Sequence, residues 1–230
     1  MDTRERRRKT AIALGIVIII MISPVGVAFA DSYIEQLNDV RVACVGDSIT
    51  QGSGYTQWLQ KMLGQDYSVG NFGLAGATVS KDAKIPYIFQ AQFREAMQFH
   101  PDIVIIMLGT NDANPEIAYN ATSFSEDYTY LVNSFLNLES KPQIVIVDSP
   151  KMFVSSSSAY NDSYLINNLI PQVENVAKQY NLTSVNMYHA FEEHPDYYVD
   201  GVHPNEQGSE LIATTMFDVV TSIQVGGQTA

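Results

Sequence analysis

Val40-Arg41-Val42-Ala43-Cys44-Val45-Gly46-Asp47-Ser48 is the stretch on which the fold turns. Its first six residues are mainly apolar and rich in β-branched side chains, the pattern of a strand buried on both faces. A glycine and two small polar residues then bring the chain out of the strand and into a turn. The same pattern recurs downstream. Residues 67–72 form a second strand candidate that runs into glycines at Gly73 and Gly76. Residues 103–108 are the clearest buried strand, and they too stop at a glycine, Gly109. Residues 143–147 and the short stretch 183–186 complete a set of five. Helical segments fall between them, at 56–63, at 90–99 with His100-Pro101 as its stop, and at 123–138. Leu165, Leu169, Val173 and Val176 recur at helical spacing, and Pro171 should kink that helix. Leu211, Ile212, Thr215, Met216, Val219 and Val220 mark a last amphipathic helix, capped by Asn205 or a neighbour. Alternating apolar strands and helices predict an α/β fold with a parallel sheet covered on both faces.

In such sheets functional groups gather beyond the carboxyl ends of the strands, and the polar, glycine-rich segments sit there. Gly46-Asp47-Ser48 follows the first strand, Asn71 to Gly76 the second, and Gly109-Thr110-Asn111-Asp112 the third; Asp200-Gly201-Val202-His203-Pro204 precedes the last helix. A serine hydroxyl is a poor nucleophile near neutral pH. It needs a base within hydrogen-bond reach and donors for the charge that develops on the attacked carbonyl. Ser48 is the candidate nucleophile, His203 the base, and Asp200, three residues earlier, the group that orients the ring. The Ser48 N–H, the Gly76 N–H and the Asn111 side-chain amide are candidate oxyanion donors. Singly, each is an ordinary turn or surface residue. Together, they supply every part of one mechanism.

Gly46-Asp47-Ser48-Ile49, Asn71-Phe72-Gly73-Leu74-Ala75-Gly76, Gly109-Thr110-Asn111-Asp112 and Asp200-Gly201-Val202-His203-Pro204 resemble, in order, the four blocks of the SGNH (GDSL-type) hydrolases. The resemblance covers roughly residues 40–220, with Ile49 where the family name has leucine. It implies a flavodoxin-like three-layer α/β/α sandwich with a five-stranded parallel sheet. It also implies Ser48 as nucleophile, Asp200 and His203 as its partners, and Gly76 and Asn111 as oxyanion donors. The stretch from Tyr188 to Ala213 is similar to members that remove acetyl groups from carbohydrates, of sialate O-acetylesterase and acetylxylan esterase type.

The remaining features bound that reading. The chain of 230 residues opens with a basic stretch, residues 4–9, an apolar run, residues 11–22, and the small-residue end Ala28-Phe29-Ala30. This is the order of a secretory signal peptide cleaved after Ala30, with an uncleaved anchor over residues 11–30 as the alternative. Residues 31–230 then suit a single domain. The first 30 residues hold five of the 13 Lys+Arg and two of the 25 Asp+Glu, so their removal takes the net charge from −12 to −15. Such a surface repels nucleic acid and anionic lipid and fits a neutral small ester or an acetylated glycan, with no membrane partner beyond the export segment. Cys44 is the single cysteine, so no intramolecular disulfide forms, and its apolar strand makes it a buried thiol. His189 and His194 lack metal-ligand spacing, and neither a metal nor a cofactor is expected. Asn120, Asn161 and Asn181 head N-x-S/T sequons. Tyr55, Trp58, Tyr197 and Tyr198 are candidates for lining a sugar or acyl site, or equally for packing.

These observations predict a secreted carboxylic-ester hydrolase. Two other readings compete: a lipid acyl-ester or thioester hydrolase, separable by a chain-length series of esters, and a catalytically silent glycan-binding module, separable by a fluorophosphonate probe.

Overall fold

The computed structural model describes residues 39–114, 116 and 121–223. The N-terminal segment 1–30 and the sequon residue Asn120 lie outside the described residues. Five strands form the sheet: β1 (Val40–Gly46), β2 (Tyr67–Gly73), β3 (Ile103–Met107), β4 (Gln143–Val147) and β5 (Thr183–Val185). Every neighbouring pair is parallel, and the order across the sheet is β2-β1-β3-β4-β5. The α-helices of four or more residues are α1 (Ser48–Gly52), α2 (Tyr55–Leu63), α3 (Ala91–Gln98), α4 (Ala121–Leu136), α5 (Ile170–Gln179), α6 (Met187–Ala190) and α7 (Glu206–Ser222).

The two-residue period of the strands sorts their side chains into two cores. Ala43, Val45, Val104, Ile106 and Ile146 face one side and pack with Phe93 of α3, Phe135 of α4 and Val173 of α5. Val42, Cys44, Ile105, Val145 and Val147 face the other and pack with Leu59 of α2 and Met216 of α7. The result is a three-layer α/β/α sandwich. Each large aliphatic side chain so buried contributes roughly 1.5–3 kcal/mol. Cys44 is fully buried in the second core, and burial pushes its thiol up to about 12, so it packs and does not react. Among the described residues no helix is long and apolar enough to cross a membrane.

Two expectations change in detail. At Pro171, where a kink is expected, the helix type changes. Residues Leu165–Leu169 wind as a π-helix, and Pro171 then falls in the first turn of α5. The wider preceding turn makes room for a ring that would clash with the carbonyl four residues back. The fifth strand stops at Val185, one residue early. Asn186 leaves the sheet because its side chain accepts the His189 N–H at 2.8 Å and caps α6.

Strand order is what assembles the rim. β1 lies between β2 and β3, so the turns after these three strands are neighbours. The chain leaves β1 towards one side for β2 and later returns on the other for β3. That reversal is the topological switch point at which open α/β sheets open a crevice.

Candidate active site

Ser48 opens α1 directly behind β1. Asp47 caps this helix, its Oδ1 accepting the Ile49 N–H at 2.9 Å. The cap holds the turn that lifts Ser48 out of the sheet. Burial pushes the Asp47 carboxyl up to about 6, against the lowering effect of the Ile49 N–H and the Thr110 hydroxyl. Asn71 fastens β2 to the same helix: its Nδ2 donates to the Thr50 carbonyl at 2.8 Å, and its Oδ1 accepts the Gly73 N–H at 3.0 Å. Gln51 of α1 reaches across to accept the Ala75 N–H at 2.9 Å. The next residue, Gly76, sits at φ +75°, a left-handed conformation that a side chain would strain. Asp112 ties the block after β3 to the same region, accepting the Val79 N–H at 2.9 Å, the Ser80 N–H at 3.0 Å and the Ser80 hydroxyl at 2.6 Å.

His203 arrives from far along the chain on a compact loop. Tyr198 and Pro204 pair across its base, and the Val199 N–H donates to the His203 carbonyl at 2.9 Å. Asp200 braces the interior, its Oδ1 accepting both the Val202 N–H at 3.0 Å and the His203 N–H at 2.8 Å. Helix α7 follows, with Asn205 as its cap, accepting the Gly208 N–H at 3.2 Å. The Ser209 hydroxyl of α7 donates to the Ser53 carbonyl at 2.6 Å, which docks this helix just behind the nucleophile turn.

The structure brings the three reactive side chains into one relay. Ser48 Oγ lies 2.9 Å from His203 Nε2, and His203 Nδ1 lies 2.7 Å from Asp200 Oδ2. With Nδ1–H donated to Asp200, Nε2 is free to take the serine proton. Partial burial pushes the Asp200 carboxyl up. The His203 backbone N–H, the His203 ring, the Val202 N–H and the imidazolium charge outweigh it and hold the group below the usual carboxylate range. The relay opens to solvent, with His203 and Asp200 side chains 40% and 52% exposed. Among the described residues neither the Ser48 N–H nor the Gly76 N–H has an acceptor. Asn111 is buried, and its Nδ2 donates to the Ala77 carbonyl at 2.9 Å, which leaves one amide hydrogen for a ligand.

The candidate nucleophile, base and orienting carboxylate are thus hydrogen-bonded in series, beside the turns that carry the three candidate oxyanion donors. Residues 44–211 match the model of the GDSL-like lipase/acylhydrolase family. This chain belongs to that family. The GDSL-like lipase/acylhydrolases are carboxylic-ester hydrolases, and the match spans all four blocks. An acetylxylan esterase of Xylanibacter ruminicola is 31% identical over an alignment of 199 residues, and the match covers 76% of this chain and 42% of that protein. The chain therefore spans about two fifths of the length of that curated relative. Among solved structures, a carbohydrate acetylesterase family member from Sinorhizobium meliloti superposes with a TM-score of 0.63 at 24% identity, over 79% of this chain and 97% of that one. A putative arylesterase from Agrobacterium tumefaciens superposes with a TM-score of 0.65 at 22% identity, over 80% and 99%. These two likenesses show a shared fold.

The aromatic candidates for a substrate wall divide. Tyr55 is 0% exposed in the core under α2, with its hydroxyl 3.2 Å from Thr50 Oγ1, so no substrate on the rim can touch it. Its place at the start of a helix beside the nucleophile turn suggested the rim, but the helix turns that face inward. Trp58 packs half-buried on the same core, with the Lys61 ammonium over its ring. It is packing too. Tyr197 stacks on His194 at 4.2 Å between ring centres, and Tyr198 packs edge-on against Phe153 and Phe191. Both brace the base of the His203 loop. Two residues that bear on the site carried no motif. Gln51 holds the Ala75 turn, and the Tyr160 hydroxyl donates to Asn111 Oδ1 at 3.0 Å.

Proposed function

We propose that this protein is an exported serine esterase that removes small acyl groups, acetyl foremost, from carbohydrate through an acyl-enzyme intermediate. The observation that carries the reading is the unbroken relay from Ser48 Oγ to His203 Nε2 and from His203 Nδ1 to Asp200 Oδ2, at 2.9 Å and 2.7 Å. His203 takes the serine proton as Oγ attacks the ester carbonyl. Asp200 holds the ring in the working tautomer and stabilises the imidazolium. The new oxyanion accepts from the Ser48 N–H, the Gly76 N–H and Asn111 Nδ2. As the tetrahedral intermediate collapses, His203 passes its proton to the departing sugar hydroxyl. Water, deprotonated by His203, then attacks the acyl-serine and releases the acid, restoring the serine.

The acetyl preference is supported by the acetylxylan esterase relative, 31% identical to this chain over the aligned region. The negative surface suits a neutral glycan. Export is supported by the basic, apolar and Ala28-Phe29-Ala30 order at the N-terminus.

Hydrolysis of p-nitrophenyl acetate by the wild type and by Ser48→Ala tests the nucleophile: Ser48→Ala should lose activity by at least about a thousandfold. Equal rates would end this reading. A p-nitrophenyl ester series should show rates falling from acetyl to octanoyl, and the opposite trend would transfer the protein to lipid-derived substrates. Acetate release from acetylated xylan, sialic acids and peptidoglycan then selects the polymer.

A further inference from the structure

Residues 151–161 join two of the catalytic blocks that lie far apart in sequence. At one end the Phe153 N–H donates to the Gly201 carbonyl at 2.8 Å, inside the Asp200–His203 loop. Gly201 sits at φ +85°, and a Cβ there would lie 2.3 Å from the Phe153 carbonyl oxygen, so this close approach of two backbones needs glycine. At the other end the Asn161 N–H donates to the Ala113 carbonyl at 2.9 Å, next to the oxyanion block. Just outside these two ends, the Met152 N–H donates to Asp162 Oδ1 at 2.7 Å and closes the loop on itself. Tyr160 reaches from this strap to Asn111, its hydroxyl 3.0 Å from Oδ1.

The chemistry of these contacts fixes the Asn111 amide. The Ala77 carbonyl can only accept, so the NH₂ end of Asn111 must face it. The oxygen end then faces Tyr160, which must donate. Burial, with Asp47 and Asp200 nearby, pushes the Tyr160 phenol upward, so it stays a donor throughout the neutral range. Without that donor, the Asn111 oxygen would sit in a buried site with no partner, and the amide would lose the contact that opposes its rotation. A hydrogen bond accepted at the carbonyl oxygen also polarises the amide and makes its N–H₂ a better donor.

We infer that Tyr160 is a positioning residue that sets the Asn111 amide as an oxyanion donor, acting on the transition state and not on substrate binding. The inference rests on the esterase reading above. In the full-length protein, Tyr160→Phe should lower kcat for p-nitrophenyl acetate about tenfold, the effect of one such hydrogen bond, with KM changed less than about twofold. In an Asn111→Ala background the same substitution should have no further effect, because the group it acts through is gone. Fluorinated tyrosine at position 160 keeps the ring and its packing and only lowers the pH at which the hydroxyl ionises. It should match wild type below that ionisation and lose rate above it, a change in the pH profile that packing alone would not produce. Ser48→Ala run alongside separates the two ideas. If it retains the wild-type rate, the esterase reading fails and takes the inference with it. If it is inactive while Tyr160→Phe keeps full rate, or loses equally with and without Asn111, the role of Tyr160 alone is overturned.

Discussion

Asp200 makes three hydrogen bonds with two oxygens, and the division of labour between them matters. Oδ1 takes two backbone N–H groups and shapes the loop, while Oδ2 holds the imidazole. Asp200→Asn keeps the size of the side chain but can present an N–H to Nδ1, which then favours the wrong tautomer. Its kcat should fall by about 10²- to 10⁴-fold, with the fold intact by circular dichroism. A variant within twofold of wild type would show that Asp200 is only a loop brace. Asn111→Ala removes one oxyanion donor and should cost about 10²- to 10³-fold in kcat with little change in KM. A rise in KM alone would instead mark Asn111 as a substrate-binding group.

The elements hold these residues by caps and crossings that local sequence only partly announces. Asn205 was legible as a cap, since a small polar residue ahead of an amphipathic run has a local meaning. Asn205→Ala should destabilise the protein by about 1 kcal/mol in urea melts, because the first turn of α7 loses a partner. It should also slow catalysis, since α7 carries the loop that presents His203; an unchanged kcat would uncouple helix from loop. Tyr55 and Trp58 were ambiguous for the same reason that Asn205 was not. Whether an aromatic side chain on a helix meets solvent or core depends on what the helix packs against, and that partner, α7, lies some 150 residues away in sequence. Pro171 likewise shows that a local rule names a conflict but not its resolution: the chain meets it with a π-helical stretch ahead of the proline.

At the scale of the whole molecule, burial of the Asp148 carboxyl carries a pH-dependent cost. Asp148, just beyond β4, is 1% exposed, and neither of its oxygens has a hydrogen-bond partner among the described residues. Burial, with Glu174 adding repulsion, pushes it up to about 7 from 3.8. The unfolded chain gives up this proton near the lower value, whereas the folded protein keeps it until about 7. Between these limits the native state binds the extra proton, so stability falls as pH rises through the window, and the cost is complete above it. Asp148→Asn removes the ionisation. Relative to wild type it should gain a few kcal/mol between pH 4 and pH 8 in urea unfolding. Parallel stability curves for the two proteins would refute the assignment.

The parallel α/β architecture and the four candidate blocks were legible in the sequence alone. Runs of β-branched residues that end in glycine and a polar turn have few other ways to fold, and each block carries its signal within four to six residues. Only the tertiary structure decided how the blocks meet. The bond between Ser48 and His203 spans 155 positions, and the bond between Tyr160 and Asn111 spans 49. Such contacts depend on strand order and on which helix covers which face, and nothing in the local chemistry of Tyr160 marks it as a neighbour of Asn111. Local steric and hydrogen-bonding preferences choose the pieces. The burial of two cores, shared among all the strands, chooses their arrangement.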